Sequence, residues 1–218
     1  MAYYIDDQKI SLAGLRKRIE ETDLVPSRAS LLEDIGAKFK GLEQQGITTL
    51  AALRSEMKTA KRLQALASRT GIEEQYLTLL RREVESYFPK PFKLTVFDWL
   101  PPAEIAKLAG HDICTTADLY DTDCTELVQT TGVDPAVLAQ LVKLADLTRV
   151  QWTNPTAARM LLETGIESAE GLSAADADAL HEALRQVNAG DRFFKGNIGL
   201  RDVNRWVQSA RYVTGRQS

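Results

Sequence analysis

The sequence predicts an all-α protein in which one helical unit occurs three times. Apolar residues recur three and four positions apart, and no segment sustains the strict alternation of a strand. In each predicted unit a Gly-Ile or similar turn leads to Thr or Ser, and a leucine stands six residues after the isoleucine. Three leucines also recur at an offset of 61 residues, namely Leu66, Leu77 and Leu80 at Leu127, Leu138 and Leu141.

The composition is that of a globular protein with an uneven charge. Of 218 residues, 44% are hydrophobic and 26% are charged, and the net charge of −3 argues against a polyanion-binding protein. Residues 1–93 carry 16 Lys and Arg against 13 Asp and Glu, whereas residues 94–218 carry 11 against 17. This difference predicts either attraction between the two parts or a basic face for a partner.

Cysteines and apolar segments indicate the compartment. The chain has two cysteines, Cys114 and Cys124, which is typical of a reducing environment. Its first residues lack the blocks of a secretory signal, and no apolar run approaches the ~20 residues that span a bilayer. We therefore expect a cytoplasmic protein with no membrane partner.

The first domain is predicted over residues 11–88, after an N-terminal tail at residues 1–10. Ser11 caps the first helix, and Pro26 separates that helix from the next element. Gly36 then permits a tight turn between two short apolar helices, because it has no side chain to obstruct the turn. This turn is the first candidate hairpin.

Two further helices complete the first domain. Gly46 ends the helix after the hairpin, and Thr48 or Thr49 caps the following one. A helix over residues 58–69 stops at Gly71, and apolar residues four apart then mark a long helix.

A proline-rich linker at residues 89–93 separates the first domain from a second domain, predicted over residues 94–213. Two prolines within three residues stiffen the chain and cannot continue a helix. The charge balance changes at the same place. Residues 214–218 are predicted to form a C-terminal tail.

The second domain contains two more copies of the unit. Pro102 and Pro155 each stand in the first turn of a helix, where proline's fixed backbone angle is favourable, and Asn154 caps the helix that begins at Pro155. The turns at Ile113 and Ile166 follow, each with a leucine six residues on. An amphipathic helix over residues 200–213 closes the domain.

This arrangement of short helix, apolar turn, short helix and Gly-Ile-x-Thr resembles the helix-hairpin-helix superfamily. Over about residues 10–213 the chain is also similar to a bacterial domain-of-unknown-function family built from tandem, SAM-domain-like units of this kind. The segments that carry the similarity are 24–28, 76–85, 144–152, 198–202 and the helix with Val203, Trp206, Val207, Ala210 and Arg211.

The resemblance implies a way of binding nucleic acid. In nucleic-acid-binding members, backbone N–H groups of an apolar-Gly-apolar hairpin and the following helix N-terminus hold a phosphate without reading sequence. The first hairpin, Ile35-Gly36-Ala37, keeps this pattern. The second has Pro101 and Pro102, which lack the N–H groups, and the third has no glycine. The implied contacts are therefore Gly36, Ala37, Lys38, Lys40, Lys58, Lys61 and Arg62.

The alternative interpretation is that Gly36 serves only the fold and the lysines form a solvated face. A second basic and stacking-capable strip is conceivable at Arg201, Arg205 and Tyr212, against the interpretation that they only aid solubility. Trp99 and Trp152 stand at matching hairpin positions, and their side chains are expected to pack into the core rather than to stack on a ligand.

Metal and catalytic sites are not predicted. His111, Cys114 and Cys124 match no zinc spacing, and His181 has no evident nucleophile beside it. The acidic cluster of Asp121, Asp123 and Glu126 lacks the glycine of a calcium loop.

These observations favour a non-catalytic interaction module that binds a protein partner or associates with itself. No cofactor, metal or small-molecule substrate is expected. Sequence-independent nucleic-acid binding through the first unit is the alternative, and an enzyme of unrecognised type ranks last.

Overall fold

A computed structural model describes residues 3–120 and 122–213, and it confirms the all-α prediction. Within these residues no strand forms, and extended backbone pairs only at isolated bridges, Ser11 with Thr49 and Lys93 with Thr115. The predicted tail at residues 214–218 lies outside the described residues. None of the described helices combines the length and the apolar character needed to cross a bilayer.

The chain divides into two compact units. The first, called here the N-unit, is Asp6–Tyr87, and the second, the C-unit, comprises the described residues from Phe88 onward together with Tyr3–Ile5. The helices of the N-unit are α1 (Leu12–Glu21), α2 (Ile35–Gln44), α3 (Leu50–Glu56), α4 (Ala60–Thr70) and α5 (Glu74–Glu85), with a 3-10 segment at Pro26–Leu32.

The C-unit continues with shorter helices around a larger core. They are α6 (Pro102–Ala109), α7 (Thr116–Tyr120), α8 (Cys124–Thr131), α9 (Pro135–Leu147), α10 (Pro155–Glu163), α11 (Ala169–Ala174), α12 (Ala177–Val187) and α13 (Leu200–Ala210), with a 3-10 segment at Leu94–Val96. Leucines dominate the core, and α13 closes it by burying Val203 and Val207 against α11 and α12. Burial of these apolar faces is the main driving force for the fold.

Three helix ends share one hydrogen-bonding pattern. The N–H of an isoleucine donates to the carbonyl of the leucine five residues earlier, at 3.3 Å for Ile47 to Leu42, 3.1 Å for Ile113 to Leu108 and 3.0 Å for Ile166 to Leu161. These bonds satisfy carbonyls at the ends of α2, α6 and α10, as in a Schellman motif. The residue before each isoleucine is left-handed, with φ of 75° at Gly46, 62° at Asp112 and 86° at Gly165.

The helices that follow these turns also start alike. A hydroxyl two residues after each isoleucine accepts from the N–H three positions on, at 3.2 Å for Thr49, 3.3 Å for Thr115 and 3.0 Å for Ser168. The leucines six residues after the isoleucines, Leu53, Leu119 and Leu172, are fully buried. The same local sequence therefore produces the same turn and cap in all three places.

The two extended bridges, Ser11 with Thr49 and Lys93 with Thr115, are flanked by the same pair of backbone hydrogen bonds. Leu12 N–H donates to Thr48 O and Leu50 N–H to Ile10 O, both at 2.9 Å. In the C-unit, Leu94 N–H donates to Cys114 O and Thr116 N–H to Phe92 O, both at 2.8 Å. Phe92 and Lys93, predicted within the linker, thus take part in this pairing.

The ends of α4 and α8 correspond as well. Thr70 Oγ1 donates to Leu66 O and accepts from Ile72 N–H, and Thr131 Oγ1 does the same with Leu127 O and Val133 N–H. Gly71 and Gly132 are left-handed at these two ends.

The first residues of the chain are packed. Tyr3, predicted within the N-terminal tail, is 4% exposed, and its hydroxyl lies 2.9 Å from Thr116 Oγ1. Burial raises the pKa of Tyr3 from its ordinary value.

The expected turn at Gly36 is wrong in detail. Asp34, with φ of 50°, makes the left-handed turn before α2, and Gly36 is already helical. A Cβ on Gly36 would meet only the Nη1 of Arg16, at 3.8 Å, so the fold does not require glycine there. Aspartate tolerates the left-handed region better than most residues, which allows it to supply the turn.

Candidate interaction surfaces

The start of α2, where the first hairpin was predicted to bind phosphate, presents open backbone donors. No side chain caps this helix, and the first intrahelical bond runs from Lys38 N–H to Asp34 O at 3.0 Å. Within the described residues the N–H groups of Ile35, Gly36 and Ala37 make no hydrogen bond. Such a helix end attracts anions through these N–H groups and the helix dipole.

Some charged side chains near this helix end would attract an anion and others would repel it. The Arg16 guanidinium lies beside Gly36, although its Nε also pairs with Glu20 at 3.4 Å. Glu33 and Asp34 expose their carboxylates beside the same helix end, where they would repel an anion.

Among the predicted basic side chains, Lys38 makes contacts within the fold, whereas three other lysines are exposed to solvent. Lys38 Nζ donates to Glu33 O at 2.6 Å and lies 4.1 Å from the centroid of the Tyr76 ring, so the fold already uses this lysine. Lys40, Lys58 and Lys61 are exposed, and no hydrogen bond or ion pair engages their side-chain ammonium groups within the described residues.

Arg62 is tied to a carboxylate. Its Nη2 lies 2.8 Å from Glu56 Oε1, and Arg69 binds the other oxygen of Glu56 at 2.5 Å. The hydrogen bond from Arg62 is the largest cause that lowers the pKa of Glu56. Since α2 packs mainly on α1, and α4 packs on α3 and α5, the two groups of lysines are carried by different parts of the N-unit.

The corresponding positions in the C-unit offer fewer donors. Pro101 and Pro102 stand at the start of α6 and have no N–H. At α10 the side chain of Asn154 accepts from Ala157 N–H at 2.8 Å, so this helix start is capped internally, as its sequence predicted.

A buried charged cluster underlies the N-unit. Glu83 is fully buried, and one of its carboxylate oxygens accepts from Arg28 Nη1. Arg18 lies over the ring of Tyr87, which packs on the same cluster. Burial, then the negative charge of Glu83, raises the pKa of Tyr87 far above its ordinary value. These groups are enclosed and serve the fold rather than a ligand.

The C-unit presents a constrained loop between α12 and α13. The side chain of Asn188 accepts from the N–H groups of Phe193 and Phe194, each at 3.0 Å, and donates to Phe194 O at 2.9 Å. His181 Nε2 lies 2.9 Å from Ile198 O at the far end of the loop. The loop is therefore held at both ends while the Phe194 side chain remains 46% exposed.

An arginine is held between two aromatic rings next to this loop. The Cζ of Arg159, on α10, lies 4.5 Å from the Trp99 ring centroid and 5.0 Å from that of Phe193. Arg192 lies 4.5 Å from the Phe193 centroid, and its Nη2 is 3.7 Å from Glu163 Oε1. Trp99 was expected to plug the core, and it is half-buried with Arg159 against it.

The sequence analysis missed Arg159 and Asn188 as site residues. Nothing near Arg159 in the sequence marks it, because its aromatic neighbours are far away along the chain. The aromatic and glycine-containing stretch at 193–199 was the one local signal that this loop is unusual.

Other predicted candidates are separated or buried. No group of three or more His, Cys, Asp or Glu that could hold a metal occurs in the described residues, and Cys114 and Cys124, which both lie in that part of the chain, form no disulfide. His181 contacts a backbone carbonyl, and Asp123 caps α8. Asp121 of the acidic cluster lies outside the described residues.

The strip of Arg201, Arg205 and Tyr212 is not a single exposed face. Arg205 is only 8% exposed, and its Nη1 lies 3.4 Å from Asp202 Oδ1. Because Arg205 is buried, this strip exposes less positive charge than a basic strip of these three residues would.

Comparison with known proteins gives a family without an assigned activity. No curated protein and no solved structure matches the chain. Residues 100–213, which include Arg159 and the loop held by Asn188, match the model of a domain of unknown function, DUF4332. This match covers more than half of the chain, so the protein belongs to the DUF4332 family.

Proposed function

We propose that this protein is a non-catalytic interaction module, built from tandem helix-hairpin-helix-like units, that binds a protein partner or a second copy of itself. The DUF4332 region carries the binding surface in this proposal. The cytoplasm is the proposed compartment, and two cysteines that form no disulfide in the described structure are compatible with its reducing conditions.

The proposal of repeated units is supported by matched backbone bonds. The isoleucine-to-leucine bonds at Ile47, Ile113 and Ile166 have the same spacing, and each is followed by the same hydroxyl cap. A left-handed residue, a carbonyl bond and a hydroxyl cap follow in the same order at all three turns, which is what a repeated unit predicts. Repeated helical units of this kind commonly stack to form binding surfaces.

The single observation that carries the binding role is the exposed ring of Phe194 on a loop that Asn188 holds in place. An exposed aromatic side chain is a common centre of protein interfaces, since it buries much apolar area on binding. A loop held by three hydrogen bonds loses little entropy when it docks.

Site-specific photocrosslinking tests this role. A photoreactive phenylalanine analogue at position 194 should give a discrete adduct in producing cells, identified by mass spectrometry. The control places the same analogue at Lys17, whose side chain is 72% exposed in the N-unit. Equal adducts at both positions, or none at position 194, would overturn the proposal.

Nucleic-acid binding by the N-unit is a second candidate function. The observation that favours it is the set of open N–H groups at the start of α2, with Arg16 beside Gly36. Few phosphates would be neutralised, so binding would be weak and strongly dependent on salt.

A further inference from the structure

Arg159 is a preorganised cation with unused hydrogen-bond donors. Its guanidinium lies between the rings of Trp99 and Phe193, and no hydrogen bond or ion pair engages it within residues 3–120 and 122–213. Ring contacts restrain the plane of a guanidinium but do not use its N–H groups. These donors are suited to a carboxylate, which accepts two parallel N–H bonds.

An uncommitted carboxylate stands on the segment that supplies one of these rings. Asp98 precedes Trp99 in the chain, is exposed, and has no hydrogen bond or ion pair in the described part of the protein. Arg159 and Asp98 carry opposite charges, and Arg159 contacts the residue next to Asp98. The two side chains nevertheless form no ion pair with each other within one chain.

Two exposed apolar side chains accompany these charges. Val96, on the Trp99 segment, is 40% exposed, and Phe194, on the Asn188-held loop, is 46% exposed. Both belong to the C-unit. The two segments that meet at Arg159 thus carry one exposed carboxylate and two exposed apolar residues.

We propose that Val96, Asp98, Arg159 and Phe194 together form one surface, and that this surface binds the same surface on a second copy of the chain. The inference rests on the proposed interaction role and names its partner. In a two-fold symmetric contact, each residue of one copy meets its complement on the other. Arg159 of each copy then pairs with Asp98 of its mate, and the apolar side chains pack between the two ion pairs.

Charge balance favours this occupant over nucleic acid. Residues 94–218 carry 11 Lys and Arg against 17 Asp and Glu, so a polyanion would be repelled at long range. A second copy presents one carboxylate to each guanidinium and one guanidinium to each carboxylate. A second copy carries the same net negative charge, but salt screens this long-range repulsion, and the two ion pairs act at contact distance.

Sedimentation equilibrium of the full chain at low salt provides the test. The wild-type mass should rise towards twice 24.2 kDa as concentration increases. In a dimer of Arg159→Asp, two carboxylates meet at each of the two ion-pair positions, and in a dimer of Asp98→Arg two guanidinium groups meet there. Each variant should weaken association by about a hundredfold. Lys143→Asp, which reverses an exposed charge elsewhere on the C-unit, should leave the association unchanged.

Mixing the two single variants separates charge pairing from misfolding. Arg159→Asp and Asp98→Arg should each be monomeric alone and form a one-to-one dimer when mixed, because both pairs are then complementary. A wild-type chain that stays monomeric, a mixture that stays monomeric, or binding of a labelled oligonucleotide lost in Arg159→Asp would overturn the inference. If position 194 crosslinks to another protein and the wild type is monomeric, the self-association is contradicted but the proposed function is not.

Discussion

The guanidinium of Arg18 lies over the ring of Tyr87, with 3.6 Å between Cζ and the ring centroid. Glu83, whose charge acts on Tyr87, is fully buried and its carboxylate is bonded to Arg28. A buried carboxylate is tolerated only while its cationic partners remain. The cluster therefore makes the N-unit sensitive to the loss of one charge.

Arg28→Met should destabilise the protein by about 3 kcal/mol, because it leaves Glu83 buried without its hydrogen-bonded partner. Urea unfolding followed by circular dichroism measures this change. The control Arg16→Met breaks the exposed pair with Glu20 and should cost less than about 0.5 kcal/mol. Adding Glu83→Met to Arg28→Met should recover much of the loss, and equal effects of the two arginine variants would contradict this account.

Alkaline titration should show that Tyr76 and Tyr87 lose their protons late. Burial raises the pKa of Tyr76 from 10.0 to about 12 and that of Tyr87 still further. The folded state then holds these protons more tightly than the unfolded state, so stability is complete below pH 10 and falls as pH rises above it. Absorbance at 295 nm should show these rings ionising only together with unfolding.

The contribution of Tyr76 can be isolated with Tyr76→Phe. This variant should show one fewer ring titrating with the unfolding transition. A titration in which all tyrosines ionise before the helical signal falls would contradict the burial of these hydroxyls.

Asp112→Gly should stabilise the protein. Asp112 occupies the left-handed position that Gly46 and Gly165 occupy at the equivalent turns. Glycine relieves the left-handed strain, although its greater freedom in the unfolded chain offsets part of the gain. We expect a net gain of about 0.5 kcal/mol and, for Gly165→Ala, a loss of about 1 kcal/mol. Urea midpoints should move in opposite directions, and a destabilised Asp112→Gly would be inconsistent with the shared turn.

Asn188→Ala should release the loop that carries Phe194 without unfolding the C-unit. Three hydrogen bonds are lost, each worth about 1 kcal/mol, and two protected N–H groups lose their acceptor. Hydrogen exchange at Phe193 and Phe194 should accelerate at least about tenfold. Asn204→Ala removes only a bond to Leu200 O and should leave these two residues protected.

The lysines of the N-unit can be tested together. If this unit binds nucleic acid, a labelled duplex should show a rise in anisotropy at low salt that disappears as salt increases. Replacing Lys38, Lys40, Lys58 and Lys61 by glutamine should abolish the rise, whereas Lys143→Gln in the C-unit should not. Absence of binding by the wild type at low ionic strength would exclude this function.

Local signals were sufficient for much of the fold. Ser11 and Asn154 cap the helices that their sequences predict, because a cap depends on residues within one turn. The apolar periodicity likewise predicted helices throughout. The left-handed turn at Asp34 was missed because aspartate occurs in many conformations and carries no specific turn signal.

Contacts between distant residues were beyond sequence reasoning. The Arg159 guanidinium meets Trp99 and Phe193 only after α10 has packed in the C-unit. The periodicity of α13 placed Arg205 on an exposed face, but the residue is buried with Asp202 beside it. Burial of a long charged side chain depends on its neighbours rather than on its position in the helix.

The two extended bridges differ in the length of chain that each one encloses. The segment between Ser11 and Thr49 is longer than the segment between Lys93 and Thr115. Closing the longer loop costs roughly 0.5 kcal/mol more conformational entropy. On this basis alone, the Lys93–Thr115 contact should form earlier during refolding, so the order of assembly need not follow the order in which a ribosome delivers the two segments.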